Sequence, residues 1–393
     1  MKINTETFKL TEPGSFGRNA LIVGAAGLAL SAAGYVMDSK QFFHSYLVAF
    51  TFWTSIGLGG LFFTLLNHLV GSEWSIVLRR ISETIMVTLP IMLVFFVPII
   101  FGFHDLYHWS HAEAVDADPI LKAKAGYLNP TFFVIRTVIY FAIWFIFARM
   151  LYNMSIKQDG GDQSNNERMR RISAPGMILF AFTATYAAFD WLMSLQPHWF
   201  STIFGVWYFA GGLLTALAFI NLFAQVLRKN GVLNNQITIE HYHDIGKLKF
   251  AFTIFWAYIA FSQFFLIWYA NIPEETIFYL DRWEGSWQSV SLLLIYGHLM
   301  LPFLWLIPRA TKRSLPAMAF IGVWLLLMHW VDLYWSVFPN FHEHGFQLSW
   351  MDLTTMLGIG GIFIWAMWVR FSKNALIPVK DPKLDKSLHF ANP

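Results

Sequence analysis

Two side chains are out of place in the segment LLLMHWVDLYW (325–335), which otherwise reads as an apolar helix: His329 and Asp332. At i and i+3 they share one helix face. An aspartate beside an imidazole orients the ring and holds its proton, which suits proton relay. The same pair would serve equally well as a polar stitch between two helices. A carboxylate costs roughly 2.5–3.5 kcal/mol at the centre of a membrane span and less toward its ends, so its presence needs a reason.

A second aspartate has the same setting. AAFDWLMSLQPHW and HWVDLYWSVFPNF both contain Asp-x-x-x-Ser-x-x-Pro, at Asp190, Ser194, Pro197 and at Asp332, Ser336, Pro339. Each aspartate is four or five residues from the end of its apolar run, a depth of roughly 6–8 Å, so water is expected to reach both. They are the first candidates for proton handling, with His329 as a relay. His298, on another run, is deeper and reads as a further relay or a structural partner. A haem b between His298 and His329 would need ligands at similar depth, and theirs differ by roughly 6 Å of rise.

The loop FGFHDLYHWSHAEAVDAD adds His104, Asp105, His108, His111 and Glu113, and NFHEHGF adds His342, Glu343 and His344. His104 and His108 would suit zinc if their segment were helical. Proton exchange or partner docking at a wet rim explains them as well, and no metal site is assigned. At the other end, Asn67, His68, Arg79, Arg80, Glu83 and Arg149 are polar. Arg79 and Arg80 read as topology anchors, with Glu83 paired to one of them, or as the mouth of a second proton path.

The elements that hold these residues follow from composition. Of 393 residues 56% are hydrophobic and 13% charged, against about 25% charged in soluble domains. Apolar runs of about 20 residues cross a bilayer, and ten are present: 18–37, 42–69, 80–103, 131–153, 174–195, 199–227, 247–271, 286–308, 314–336 and 349–372. The first is read as a retained helix rather than a leader. Pro90 and Pro98 are expected to kink the third, and the polar loop 154–172 to be flexible. Of the 27 Lys and Arg, 21 fall at the ends and in the even-numbered connections, four in the odd-numbered ones, and Arg136 and Arg149 within the fourth span. That bias places both termini in the cytoplasm. With no cysteine, the chain cannot ligate an iron–sulfur cluster through thiolates or attach haem by thioethers.

Gly59-Gly60-Leu and Gly211-Gly212-Leu also recur, 152 residues apart, on the second and sixth spans. Both shifts move four spans on. The expected fold is therefore all-α and integral to the membrane. One four-helix bundle covers 42–195 (spans 2–5) and a second covers 199–336 (spans 6–9). Spans 1 and 10 flank them and a cytoplasmic tail covers 373–393, all within a single membrane domain, 1–393. Such repeats often hold ligands between them, and a proton-coupled secondary transporter or a plain scaffold subunit would fit the same pattern.

FDWLMSLQPHWFSTIFGVWYFAGG (189–212), GFHDLYHWSH, the short proline-containing loop after the ninth span and the tail LIPVKDPKLDKSLHFANP (376–393) resemble the large membrane subunits of alternative complex III, the bacterial quinol:cytochrome c oxidoreductase, within the NrfD/polysulfide-reductase type. The likeness covers almost the whole chain. Of the family's two homologous membrane subunits, C and F, the length and short termini are more similar to F. The resemblance implies two four-helix bundles with flanking helices in a bacterial inner membrane. It implies partners carrying iron–sulfur clusters and haem c: an iron–sulfur subunit, multihaem cytochromes c, the homologous C subunit and a terminal oxidase. It also implies menaquinol or ubiquinol as the electron source, with Asp190, His104 and Asp105 as the residues that would meet a quinol headgroup if this chain binds one. Asp332, His329 and His298 would line a corresponding proton path in the second bundle.

Overall fold

The computed structural model describes residues 1–4, 6–343 and 345–392; His344 lies outside them. Among the described residues ten helices are long and apolar enough to cross a membrane: α1 Phe16–Met37, α2 Ser39–Val70, α3 Ile76–Phe101, α4 Pro130–Gln158, α5 Ser164–Leu195, α6 Phe204–Lys229, α7 Ile239–Ala270, α8 Trp287–Leu306, α9 Leu315–Asn340 and α10 Trp350–Phe371. The only strands among the described residues are β1 (Lys2–Asn4) and β2 (Lys9–Glu12), an antiparallel pair at the N-terminus. The fold is an all-α integral membrane fold.

Helices α2 and α6 are the most enclosed of the ten and pack on each other. Around α2 stand α3, α5 and α10, with α4 against α3 and α5; around α6 stand α7 and α9, with α8 against α7 and α9. The recurrent glycines make the seam between the two groups. A Cβ on Gly59 would stand 3.1 Å from the Gly212 carbonyl oxygen, and one on Gly212 would stand 2.9 Å from Ser55 Cβ. Small residues are the usual device for bringing membrane helices to backbone contact.

The same device joins α1 to α10. Gly24 and Gly27 lie on one face of α1, and a Cβ on Gly27 would stand 2.7 Å from Gly358 Cα. No rotamer relieves a clash with backbone. Gly27→Leu should therefore cost at least about 1–3 kcal/mol, seen as earlier thermal loss of the monodisperse peak in detergent. Gly126→Ala, where a Cβ meets nothing within 4 Å, should not move that peak.

Two boundaries differ from the hydropathy reading, for one reason. Helix α4 runs to Gln158 and α5 begins at Ser164, so most of 154–172 is helical rather than a flexible loop. Good helix formers and an Arg171–Glu167 pair at i, i+4 (2.9 Å) support the added turns. Helix α7 starts at Ile239, not near 247, under a capping box of Thr238 and His241. Lys249, counted among the loop cations by sequence, is in fact buried inside α7. The break expected in α3 falls at Val87–Thr88, where Pro90 removes one backbone donor and its ring opposes the Met86 carbonyl. Pro98 is accommodated within the helix.

Because the number of spans is even, both termini share one face of the bundle, and the tail crosses that face. Asp381 pairs with Arg79 (2.7 Å), Val379 N–H donates to Asp159 (3.1 Å), Ser387 accepts from Val77 N–H and donates to the Trp74 carbonyl, and Asn392 donates to Glu240. Lys386 and Lys383 flank Glu73 and hold its carboxyl below the usual carboxylate range. The tail is thus a strap over α2, α3, α4 and α7. Arg80, one residue from Arg79, is wholly buried between Glu83 (3.0 Å) and Asp159 (2.8 Å).

Candidate functional site

The two motif aspartates occupy corresponding places in the two halves and have opposite surroundings. Both are buried, at 0% and 1% exposure, so the expectation that water wets them from the loop side is corrected. Neighbouring helices close over the depth at which a lone helix would be hydrated.

Asp190, on α5, is fully answered. Arg136 of α4 donates to both its oxygens at 2.9 Å in a forked pair, and Tyr140 donates to Oδ2 at 2.8 Å. The guanidinium is itself held by the Tyr127 carbonyl (2.8 Å) and lies over the Tyr127 and Phe132 rings. Bidentate arginine–carboxylate pairs are among the stronger polar contacts. With its charge matched and both oxygens occupied, Asp190 is built as a joint between α4 and α5.

His104 and Asp105 do not converge on it. His104 is exposed, Asp105 half-buried, and no hydrogen bond links either to Asp190 among the described residues. The residue between the loop and α5 is Tyr107, whose hydroxyl caps the Trp191 carbonyl at 3.1 Å. His104 and His108 are not on one helix either: the helical turn ends at Leu106 and His108 opens a separate tight turn. Among the described residues no three His, Asp or Glu side chains gather as metal ligands. Elsewhere on this face His198 bonds Asp118, holding that carboxyl below its ordinary range, and burial pushes His342 below the ordinary imidazole range.

Asp332, on α9, is the unanswered one. Its Oδ2 accepts from the Trp256 indole of α7 at 2.9 Å, and its Oδ1 has no partner. No cation pairs with it among the described residues. Three groups surround it. His329, one turn back, sets Nε2 at 3.0 Å from Ser55 Oγ of α2. Ser55 Oγ also lies 2.7 Å from the Phe52 carbonyl, and the imidazole tautomer decides whether Nε2 donates to it or accepts from it; the second ring nitrogen is Nδ1. That Nδ1 has no partner. It stands beside Gly211 together with Asp332, 2.8 and 3.6 Å from where a Cβ would be. His298 of α8 stacks on Trp256, ring centroids 3.9 Å apart, and neither ring nitrogen has a partner. Trp256 covers one face of that ring.

Local backbone places His298. Residues Leu294–Met300 of α8 form wide π-type turns, which occur often at functional sites. The Trp324 indole of α9 donates to the Gly297 carbonyl at 2.7 Å, satisfying a carbonyl in the irregular stretch. On α7, Lys249, Thr253 and Trp256 follow at i, i+4 and i+7 along one buried face. Lys249 is wholly buried and its Nζ has no partner. A stripe of polar groups thus runs from the terminal half of α7 to the Trp256–His298–Asp332 cluster and on through His329 to Ser55.

A space of about 10 Å³ lies against Ser55, Gly59, Tyr208 and Gly212, room for about one water. Buried unpaired polar atoms are expensive, and the four on Asp332, His329 and His298 would be relieved by a proton or a water. Sequence reasoning found His329, Asp332 and His298 but missed Trp256, Ser55, Lys249 and the Arg136–Tyr140 clasp on Asp190. Arg136 carried a legible signal: it is six residues into α4 and Asp190 five from the end of α5, so cation and acid lie at matching depth on consecutive antiparallel spans.

Compared with models of protein families and with curated proteins, the chain matches none.

Proposed function

We propose that this chain is a membrane subunit of a quinol:cytochrome c oxidoreductase of the alternative complex III type, set in a bacterial inner membrane with its termini in the cytoplasm, and that it handles protons rather than electrons. The motifs at 189–212 and 376–393 support the family reading. The observation that carries the proton reading is that Asp332 Oδ1, His329 Nδ1 and both ring nitrogens of His298 are buried and without a partner among the described residues, on side chains joined through Trp256 and the Gly211 surface.

A carboxyl and two imidazoles set round one tryptophan and one glycine, with no fixed cation paired to them among the described residues, can each take or release a proton with modest rearrangement. His329 turns Nδ1 toward the Asp332 side and Nε2 toward Ser55. Protons from the terminal face would reach the cluster along Lys249 and Thr253. Intramembrane ionisable groups of this kind commonly mark ion or proton paths.

The residues do not fit a quinone. Asp332, His329 and His298 are buried, the small gap at Ser55 admits about one water, and both oxygens of Asp190 are already engaged. Quinol chemistry is therefore assigned to a sister subunit, and the one-electron acceptors, iron–sulfur clusters and haem c, to partner chains. Affinity purification of the tagged chain from its native membrane in mild detergent should bring down an iron–sulfur protein and a multihaem cytochrome c in fixed ratio. Recovery of the chain with no redox partner would remove the reading.

A further inference from the structure

A cleft of about 330 Å³ opens between α3, α4 and α10 toward the terminal face, distant in sequence from every residue of the Asp332 cluster. Its inner wall is apolar: Val87, Pro90 and Ile91 from the break in α3, and Phe145 and Trp365. The dent exists because α3 is interrupted at Val87–Thr88. Its rim is cationic, with Arg149 of α4, Arg370 of α10 and Lys373 just beyond it.

None of these three cations has a carboxylate partner among the described residues, although the neighbouring Arg79, Arg80 and Arg136 all do. All three are exposed. Arg149 is the most telling. It lies on the outward side of α4 beside the exposed Phe145, Ile146 and Met150, a surface made for acyl chains, where an unpaired guanidinium is disfavoured unless an anion meets it. The site is also braced. The Tyr152 hydroxyl accepts from Asn374 at 2.9 Å and reaches the Arg370 carbonyl at 3.4 Å, fixing the end of α10 beside α4.

We propose that this cleft is a binding site for an anionic phospholipid of the leaflet on the terminal side. The phosphate sits among Arg149, Arg370 and Lys373, where guanidinium groups bond phosphate oxygens in a fork, and the acyl chains run along the outward face of α4. The volume suits a headgroup and glycerol, at the lower end of ligand pockets of about 300–1,000 Å³. Basic pockets between spans on the cytoplasmic side are a recognised way to hold such headgroups. The inference does not rest on the proton reading.

The test is native mass spectrometry of the delipidated chain titrated with phosphatidylglycerol or phosphatidylcholine of identical acyl chains. Wild type should retain one phosphatidylglycerol with about tenfold preference. R149Q/R370Q/K373Q should lose the preference, and Arg149→Lys should keep most of it. Lys122→Gln, on the opposite face, should change nothing. Should the triple variant misfold, Arg149→Gln alone gives the same readout at smaller amplitude. Equal retention of both lipids by wild type, an unchanged preference in the Arg149 and triple variants, or displacement of the lipid by millimolar inorganic phosphate would overturn the proposal.

Discussion

Replacing Arg136 with methionine should destabilise the protein by about 3–5 kcal/mol, because it strands the buried Asp190 carboxylate with no other cation paired to it among the described residues. The Tyr140 hydroxyl would still donate to it, too little to answer a full charge. The measurement is thermal or denaturant unfolding in detergent, followed by tryptophan fluorescence. Adding Asp190→Leu to the same chain should recover most of the loss, since a buried pair replaced on both sides by apolar groups is often neutral. If the single variant is as stable as wild type, the forked pair is not the joint described above. If the double variant is worse than the single, Asp190 has a use beyond pairing with Arg136.

The second large effect is expected at Asp332→Asn. Asparagine keeps an oxygen to accept from the Trp256 indole, so α7 and α9 should stay packed and the subunit should assemble. It cannot take up a proton. Proton release coupled to quinol oxidation in proteoliposomes of the whole complex should fall by about 100-fold or more, within the range for loss of a positioned acid–base group, while electron transfer measured in detergent falls less. Asp190→Asn should show the reverse balance, with a loss of stability and little change in coupling among the molecules that fold. Wild-type proton release from Asp332→Asn would leave the cluster as a helix stitch and nothing more.

That contrast bears on what the amino-acid sequence could tell. The ten spans were legible because lipid immersion demands long apolar runs. The ends of α5 and α7 were not, because hydropathy reports immersion rather than helicity. Residues 164–173 and 239–246 are polar, yet stay helical through capping, an i, i+4 pair and the tail strap. The Asp-x-x-x-Ser-x-x-Pro repeat pairs Asp190 with Asp332, and each is buried near the end of its span. It suggested a like role for both, whereas their surroundings differ: only the first half supplies an arginine at the right depth. Trp256 and Ser55 could not be singled out among 18 tryptophans and many serines, because their part depends on how α7 and α2 are rotated. The unpaired state of Lys249 is equally a property of packing.

One feature of the seam between the halves constrains how any ion could cross. Gly59 and Gly212 bring α2 and α6 to backbone contact, and the helix that carries this contact also carries Ser55, the partner of His329. A rocking motion of one half against the other, as in a revolving door, would have to peel that contact apart and take Ser55 away from His329 at each turn. For the proton handling proposed above, this packing suits a fixed wire, in which the posts stay where they are and only protons, waters and hydroxyl rotors move between them. Throughput of such a device would be set by the slowest hop between neighbours rather than by a conformational cycle.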